Sequence, residues 1–308
     1  MNKPANYVGV DVAKARLDFD LPGMDRSVAN TVEAIAEVLA KLPPGAHVVC
    51  ESTGGYEATL TAAALERDIA ISVVPPQRVR HYARSQGKLA KTDRIDAKLL
   101  TNFGSANQPA RLVPLEPARE QVRALLRARA QLIELQKIEA CWAEHASSSP
   151  LLRNLAAERA AVVQRQVEEL MREIRQVLAT IAGREEVARL QQVQGVGEIT
   201  AWTVWAEMPE IGRMKPGQPA GLAGLAPHPR DSATIRGKRY IQQGRPQVRR
   251  VLYMAAITAS RYNPILRTFY QRLRAHGKPA KVALIAVARR LIELLNLLLQ
   301  NPNFQLAG

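Results

Sequence analysis

The chain has 308 residues, 47% of them hydrophobic, so it is long enough for two or three domains and too apolar to be disordered. Its two cysteines exclude a disulfide framework, and no cysteine–histidine cluster indicates zinc. The net charge is +15, and residues 211–290 hold 17 Lys and Arg but one acid, Asp231, while the remainder sums to about −1. This basic block predicts a nucleic-acid partner, because solubilising surfaces mix both signs.

The apolar runs do not indicate export or membrane insertion. Asp11 and Lys14 interrupt any signal peptide, and three charged residues interrupt the apolar stretch Val282–Leu299. We therefore expect a protein of the bacterial cytoplasm, associated with the nucleoid.

The first hundred residues alternate strand patterns with helix patterns. Strands are predicted at Tyr7–Val10, Arg16–Leu21, near Ser27, at His47–Cys50 and at Ile69–Val74. Helices are predicted at Val32–Leu42, opened by a capping box of Asn30 and Glu33, at Tyr56–Arg67 and from Thr92 through Leu100, with Gln77–Lys91 irregular. This order is that of an RNase H-like (RuvC-like) α/β domain, which we assign to residues 1–112.

The composition changes to Leu, Ala, Arg, Glu and Gln between Glu116 and Ala182. Helical stretches at 116–146 and 151–182 carry apolar stripes and are separated by Ser147–Pro150, which predicts a helical hairpin or coiled coil over residues 113–185. Its role is either a spacer or, as we favour, oligomerisation. Residues 186–308 form a basic and mainly helical C-terminal domain in this interpretation.

Four carboxylates lie where a phosphoryl-transfer site is expected. Asp11 ends the first strand, Glu51 ends the fourth, and Asp93 and Asp96 are three residues apart on a helix. Ligands bind beyond strand ends in open α/β sheets, and converging acids repel unless a divalent cation neutralises them. The pattern predicts Mg²⁺, as two ions, with Mn²⁺ as a substitute. The alternative is that Asp93 and Asp96 bind no metal and merely stabilise the N-terminus of a helix, where acidic residues are favoured.

Two segments of the basic region are candidates for nucleic-acid contact. Gly195-Val196-Gly197, between two helices, is similar to the hairpin of a helix-hairpin-helix module, although an ordinary turn has the same pattern. Ser232 lies among cations able to hold a phosphate, but its activating base is not identifiable, since the nearby His228 equally suits a phosphate contact. The predicted contacts are Gly195, Gly197, Arg230, Arg236, Lys238, Arg239, Arg245, Arg249 and Arg250.

At these residues the chain resembles the DEDD insertion-sequence transposases, a group that includes bridge-RNA-guided recombinases and Piv-type DNA invertases. The resemblance rests on Gly9–Lys14, Glu51–Tyr56 and Lys91–Ala97, then on Gly221–Ser232, Gly237–Gly244 and Arg249–Tyr253. It covers nearly the whole chain in the right order. One departure is Gln243-Gly244, where many relatives have a second glycine or Gly-Asn.

The resemblance implies a function that composition alone does not. Ser232 would be a nucleophile that forms a phosphoserine–DNA link, while Asp11, Glu51, Asp93 and Asp96 would hold magnesium at the scissile phosphate. A noncoding RNA of the element would guide the choice of donor and target DNA, and the protein would act as dimers and tetramers. The rivals are a RuvC-like metal-dependent junction nuclease and a nucleic-acid-binding protein or repressor without activity.

Overall fold

A computed structural model describes residues 6–21, 24–87, 93–145, 149–180, 183–228 and 239–304, without the side chains of residues 24–26, 93–95 and 228. The chain divides into two compact units, Met1–Pro114 and Leu115–Gly308. The separation of the second unit at about residue 185 stays a prediction.

A five-stranded mixed sheet, in the order β3-β2-β1-β4-β5, forms the centre of the first unit. β1 pairs antiparallel with β2 and parallel with β4, β2 pairs antiparallel with β3, and β4 pairs parallel with β5. This topology confirms the predicted mixed α/β fold and is consistent with an RNase H-like domain. The strands are β1 (Asn6–Val12), β2 (Arg16–Leu21), β3 (Met24–Ala29), β4 (Ala46–Glu51) and β5 (Ala70–Val74).

Helices cover both faces of this sheet because its central strands are apolar on both sides. Alternate residues such as Val10 and Cys50 pack against α1 (Val32–Leu39) and α2 (Ala58–Glu66). On the opposite face, Val49 packs against α3 (Pro76–Ser85) and α4 (Asp93–Asn107).

Two local predictions in this unit are wrong. Gln77–Lys91 was expected to be irregular, yet α3 begins at Pro76, a residue that suits the first helical position, and buries Val79. The N-cap of α1 is Thr31, whose side chain accepts a 3.4 Å hydrogen bond from the Ala34 N–H, so Asn30 does not form the capping box.

After α4, residues 108–116 have no regular secondary structure and contact the edge strand β5. The Leu112 N–H donates to the Ile71 carbonyl at 2.6 Å. The Ser72 hydroxyl donates to the Ala110 carbonyl at 2.8 Å and lies 2.7 Å from Nε2 of the buried His47. The segment is therefore fixed to the sheet by backbone and side-chain bonds.

The second unit begins with two long helices, α5 (Pro117–His145) and α6 (Pro150–Ala179). Their cross-contacts, Gln121 with Glu173 at 3.5 Å and Glu139 with Arg159 at 2.8 Å, show that the helices run antiparallel. The predicted helical hairpin is present, whereas its supercoiling and its role in oligomerisation remain predictions.

The rest of this unit packs around a buried helix, α8 (Glu198–Glu207), with Trp205 at its centre. Arg119 of α5 donates to Glu186 at 2.9 Å, and Trp205 Nε1 donates to the same carboxylate at 2.8 Å, which fixes the hairpin base. The remaining elements are α7 (Arg184–Gln191), α8 (Glu198–Glu207), α9 (Gln218–Leu222), β6 (Pro227–His228), β7 (Tyr240–Ile241), α10 (Pro246–Tyr262), α11 (Pro264–Ala275) and α12 (Ala280–Gln300).

Three helices follow β7 in the described residues. The Asn263 side chain accepts from the Leu266 N–H at 3.1 Å and Pro264 occupies the first helical position, so α11 starts as a separate helix directly after α10. Across the described residues, every helix is too short or too polar to cross a bilayer.

Candidate active site

Asp11 and Glu51 lie side by side on the two central parallel strands. The register pairs Val10 with Cys50, so the next residues, Asp11 and Glu51, are neighbours across the strands. Val10 and Cys50 belong to the core under α1 and α2, and side chains alternate along a strand. Both carboxylates therefore project to the face that α3 and α4 cover.

Helix α4 crosses this face antiparallel to β1. Tyr7 packs against Gly104. One turn earlier in the helix, Thr101 Oγ1 accepts a 2.8 Å hydrogen bond from the Gly9 N–H. The approach is close, because a Cβ at Gly9 would collide with the Ala97 carbonyl. Glycine is needed at this position for the helix to lie on the strand.

This antiparallel crossing places the start of α4, which carries Asp96, at the end of β1 that carries Asp11. From Gly9, two further residues along β1 reach Asp11, while the start of α4 carries Asp96, beside Ala97, and then Asp93. Asp96 is half-buried, and the Asp93 side chain lies outside the described residues. The fold thus brings Asp11 and Glu51 together and places Asp96 on the helix that covers them.

The donor chemistry of this site suits a hard divalent cation. Adjacent carboxylates on one face of a sheet repel each other unless a cation offsets their charge, and carboxylate oxygens are the ligands that Mg²⁺ and Mn²⁺ accept. Among the described side chains, however, no three or more His, Cys, Asp or Glu are gathered as a metal-binding group. The assignment of all four acids as ligands therefore stays a prediction.

A fifth acid, Asp18, was not predicted from the sequence. It is the register partner of Asp11 on β2, and its carboxylate accepts from Arg16 Nε at 3.2 Å. Leu17 and Phe19 belong to the opposite core, so Asp18 shares the Asp11 face. The alternation in Arg16–Leu21 could have identified it, because it fixes which residues share a face.

The loop after Glu51 is held by residues whose role the sequence did not reveal. The Glu57 carboxylate accepts the N–H groups of Thr53 and Gly55 at 3.0 and 2.9 Å. The Asn30 amide donates to the Ala13 carbonyl at 3.1 Å and to the Tyr56 carbonyl at 3.0 Å. Asn30 thereby joins the loops that follow the two acidic strands.

Ser232, with Arg230, Arg236 and Lys238, belongs to residues 229–238, outside the described residues. The ends of this serine segment are held together, because β6 pairs antiparallel with β7, Pro227 opposite Ile241 and His228 opposite Tyr240. The segment is therefore closed by a two-stranded stem.

Next to this stem, Gly224 and Gly244 lie in close backbone contact. Together with Arg249 they form what we call the glycine clasp (Gly224, Gly244 and Arg249). Both glycines have positive φ, 69° and 66°, and a Cβ on either would collide with the backbone of the other loop. Arg249 Nη1 donates to the Gln243 carbonyl at 2.6 Å and to the Gly224 carbonyl at 3.4 Å. Gln243 itself is left-handed, with φ 59°.

The other predicted arginines differ in their surroundings. The Arg245 guanidinium donates two 2.7 Å hydrogen bonds to the Glu210 carboxylate. Burial alone would raise the pKa of Glu210, but the bonds to Arg245 oppose burial and hold this pKa below its usual value. Arg250 is 61% exposed and lies 3.5 Å from Glu134, while Arg239 is exposed. Arg245 and Arg249 thus have structural partners, and direct contact of any of these residues with nucleic acid stays a prediction.

Gly195 and Gly197 form the turn between α7 and α8. Gly195 has φ 101° and packs against Ala259 so closely that a Cβ would clash, whereas Gly197 faces open space and precedes α8 without a side-chain cap. Arg175 forms two bonds, at 3.0 and 2.8 Å, to Glu198 in the first turn of α8. Phosphate binding by this turn stays a prediction.

Two family models match the chain in sequence. The DEDD transposase model of IS110 elements covers residues 8–139, and the model "Transposase IS116/IS110/IS902 family" covers residues 187–271. The chain belongs to this family of DEDD transposases. It is accordingly a DNA transposase or recombinase, and its DEDD domain implies the use of a divalent metal ion.

Several proteins of mobile or invertible DNA are similar to this transposase. It is 25% identical over 302 residues to the pilin gene-inverting proteins of Moraxella bovis and Moraxella lacunata, with 93% of each chain covered. It is also 43% identical over 79 residues to a 42 kDa protein of insertion element IS900 from Mycobacterium paratuberculosis, covering 25% of this chain and 19% of that protein.

Proposed function

We propose that this transposase cuts and exchanges DNA strands of an insertion sequence through a phosphoserine–DNA intermediate at Ser232. It would act in the bacterial cytoplasm on nucleoid DNA, with Mg²⁺ at Asp11, Glu51, Asp93 and Asp96 and with an element-encoded guide RNA. Mn²⁺ would substitute for Mg²⁺, since both accept carboxylate ligands.

In this proposal the acidic residues bind and orient the scissile phosphate through the metal. Bound Mg²⁺ supplies charge neutralisation at the phosphoryl oxygens. Asp11 and Glu51 would supply ligand oxygens from adjacent strands, and Asp96 and Asp93 would supply them from α4. Thr101 keeps α4 against β1 through its bond to Gly9. A rigid sheet suits this task because displaced ligands weaken catalysis.

The serine would carry the covalent step. The Ser232 hydroxyl oxygen attacks the scissile phosphorus, its proton leaves to a base, and one deoxyribose oxygen departs from phosphorus. A phosphodiester to serine replaces a phosphodiester between nucleotides, so a free deoxyribose hydroxyl on another strand can reverse the step without an external energy source. Arg230, Arg236 and Lys238 would stabilise charge on the phosphoryl oxygens.

One observation carries this proposal beyond metal-dependent hydrolysis. The serine segment is closed by the β6–β7 stem and braced by the glycine clasp, in a unit separate from the acidic sheet. A nuclease that activates water with metal alone does not need a serine segment whose two ends are held in place. The second unit also contains nearly all of the net positive charge, which suits binding of DNA and RNA strands.

Assembly into dimers and tetramers is part of the proposal. The outer half of the α5–α6 hairpin exposes large apolar side chains, with exposed fractions from 47% to 66%, which favours burial against another protomer. They are Leu135, Ile138, Trp142, Leu151 and Leu152.

The second candidate is a RuvC-like junction nuclease, favoured by the acidic sheet alone because Asp11, Glu51 and metal-activated water would suffice. A covalent-adduct assay separates the two functions. Protein, Mg²⁺, donor and target DNA and RNA from the element's noncoding flank are mixed and separated under denaturing conditions. We expect a protein–DNA adduct from wild type and none from Ser232→Ala or Asp11→Asn. Cleaved DNA without adduct, unchanged by Ser232→Ala, would establish the nuclease instead.

A further inference from the structure

A groove between α11 and α12 is not used by the mechanism above. Its volume is about 710 Å³, and its floor is apolar, with Leu266 and Leu294. Ile265 and Leu297 on its walls are 52% and 42% exposed, although both are large hydrophobic residues. We call it the α11 groove; further lining residues are Gln192, Gln194, Gln300 and Phe304.

Two arginines stand at one end of the α11 groove. There it continues into a depression of about 470 Å³ lined by Phe269, Arg272 and Arg290. The guanidinium carbons of Arg290 and Arg272 lie 4.6 and 5.5 Å from the Phe269 ring centre. Within the described part of the chain neither arginine has an ion-pair partner. Two cations held on an aromatic face are thus available to an anion.

Among the described residues that line the groove, the one acid, Glu293, is already engaged. The Glu293 carboxylate accepts the N–H groups of Gly217 at 3.0 Å and Ala220 at 3.2 Å, at the start of α9. Its hydrogen-bonding capacity is directed away from the two arginines, so the groove end keeps a surplus of positive charge.

Amides line the opposite end of the groove. In the described residues the side chains of Gln192 and Gln194 make no hydrogen bond, and Gln194 directly precedes Gly195 of the α7–α8 turn. An amide can donate to and accept from the edge of a nucleobase. The groove therefore combines apolar walls, base-reading amides and a phosphate-binding pair of arginines.

We propose that the α11 groove binds one unpaired nucleotide of single-stranded DNA. The base lies between Ile265, Leu297 and Phe304, with Gln194 at its edge, and the adjoining phosphate contacts Arg272 and Arg290. A purely apolar peptide would leave both guanidinium groups without an anion, whereas a nucleotide supplies the ring and the charge together. The inference rests on the proposed strand exchange, which exposes unpaired nucleotides, but binding requires no cleavage by Ser232.

Equilibrium binding by the full-length protein to a single-stranded DNA 20-mer, measured by fluorescence anisotropy, tests this site. A second oligonucleotide has the same length and the same phosphates, but all of its sugars are abasic, so only the bases are lost. We expect wild type to bind the abasic strand at least about 5-fold more weakly, within the range for loss of one stacked base. Leu297→Trp fills the groove at an exposed position and should abolish this difference.

A charge-matched pair isolates the phosphate contact. Arg272→Ala and Arg267→Ala each remove one cation from α11, but only Arg272 lines the groove. Arg272→Ala should weaken binding several-fold more than Arg267→Ala. Equal affinity of wild type for both strands, or equal effects of the two arginine variants, would overturn the proposal. So would tighter binding of the matching RNA, or a change of oligomeric state in Leu297→Trp without any change in affinity.

Discussion

The two units of the transposase position their chemical groups by different means. In the sheet unit, Asp11 and Glu51 are neighbours because of a backbone register that also aligns the surrounding apolar core. In the helical unit, the ends of the serine segment are held by the glycine clasp, where loops 20 residues apart touch through backbone atoms and Arg249. The first arrangement is distributed over many contacts, whereas the second depends on a few.

Because of this difference, we expect substitutions in the two regions to affect activity and stability differently. A carboxylate can be removed from the sheet without disturbing its core, so chemistry and stability separate there. In the clasp, any added atom must move a loop, so chemistry and local stability change together.

Asp11→Asn should reduce DNA cleavage by at least about 100-fold, because the variant loses a charged ligand that we propose for the metal at the reacting phosphate. Stability without metal should stay at or above that of wild type, since repulsion among the acids decreases. Thermal unfolding with EDTA and with Mg²⁺ checks this: Mg²⁺ should raise the melting temperature of wild type and not that of the variant. Asp68→Asn removes an exposed charge from the same unit and is the control. A normal Mg²⁺ response in Asp11→Asn would contradict the metal site.

Gly224→Ala should destabilise the second unit by about 1–3 kcal/mol and reduce cleavage, because its Cβ collides with the Gln243 carbonyl and Arg249 at a positive φ. The matched control is Gly221→Ala, which meets open space three residues earlier. Denaturant unfolding and adduct yield are the measurements. Equal stability of the two variants would show that the clasp does not constrain the loops.

Acidification should destabilise the first unit through His47. Burial, and secondarily Arg111, lower the pKa of this histidine, so the unfolded chain binds its proton more readily. The stabilisation by neutral His47 is present above the unfolded pKa of about 6.5 and is lost as the pH falls toward the lower folded value. His47→Gln should reduce the pH dependence of the unfolding free energy between pH 7.5 and 5. His81→Gln, at an exposed position, should leave it unchanged. An unchanged slope in His47→Gln would contradict this origin.

Gln243→Gly should have the smallest effect, a stabilisation of up to about 1 kcal/mol. The residue has φ 59°, which glycine adopts without strain, although glycine's greater freedom in the unfolded chain offsets part of the gain. Comparing the melting temperatures of wild type and Gln243→Gly measures this. A loss of stability would indicate that the glutamine side chain contributes contacts exceeding the backbone strain.

The sequence predicted the sheet unit well because apolar residues recur at regular intervals along its strands. Alternation of apolar residues located the strands, and the strand ends identified Asp11 and Glu51. Helix α3 was missed because it buries little beyond Val79, so its sequence is dominated by the polar exposed face. Asn30 was assigned to a cap, since its contacts with Ala13 and Tyr56 appear only when two loops meet.

The second unit was predicted less completely, because several of its contacts join loops that meet only in the folded chain. Its helices follow from composition, but the glycine clasp consists of backbone contacts between separate loops, which leave no hydrophobic pattern. The ion pair of Arg245 with Glu210 likewise joins residues 35 positions apart, so a cation expected to face nucleic acid proved to have an internal partner.

The segment that follows α4 has a further consequence for solution behaviour. β5 is the last strand of the sheet, and a bare edge strand offers its peptide groups to strands of other molecules. The bond from Leu112 to Ile71 and the bond from Ser72 to Ala110 occupy this edge with the chain's own backbone. The segment after α4 therefore also protects the β5 edge of the sheet against edge-to-edge aggregation.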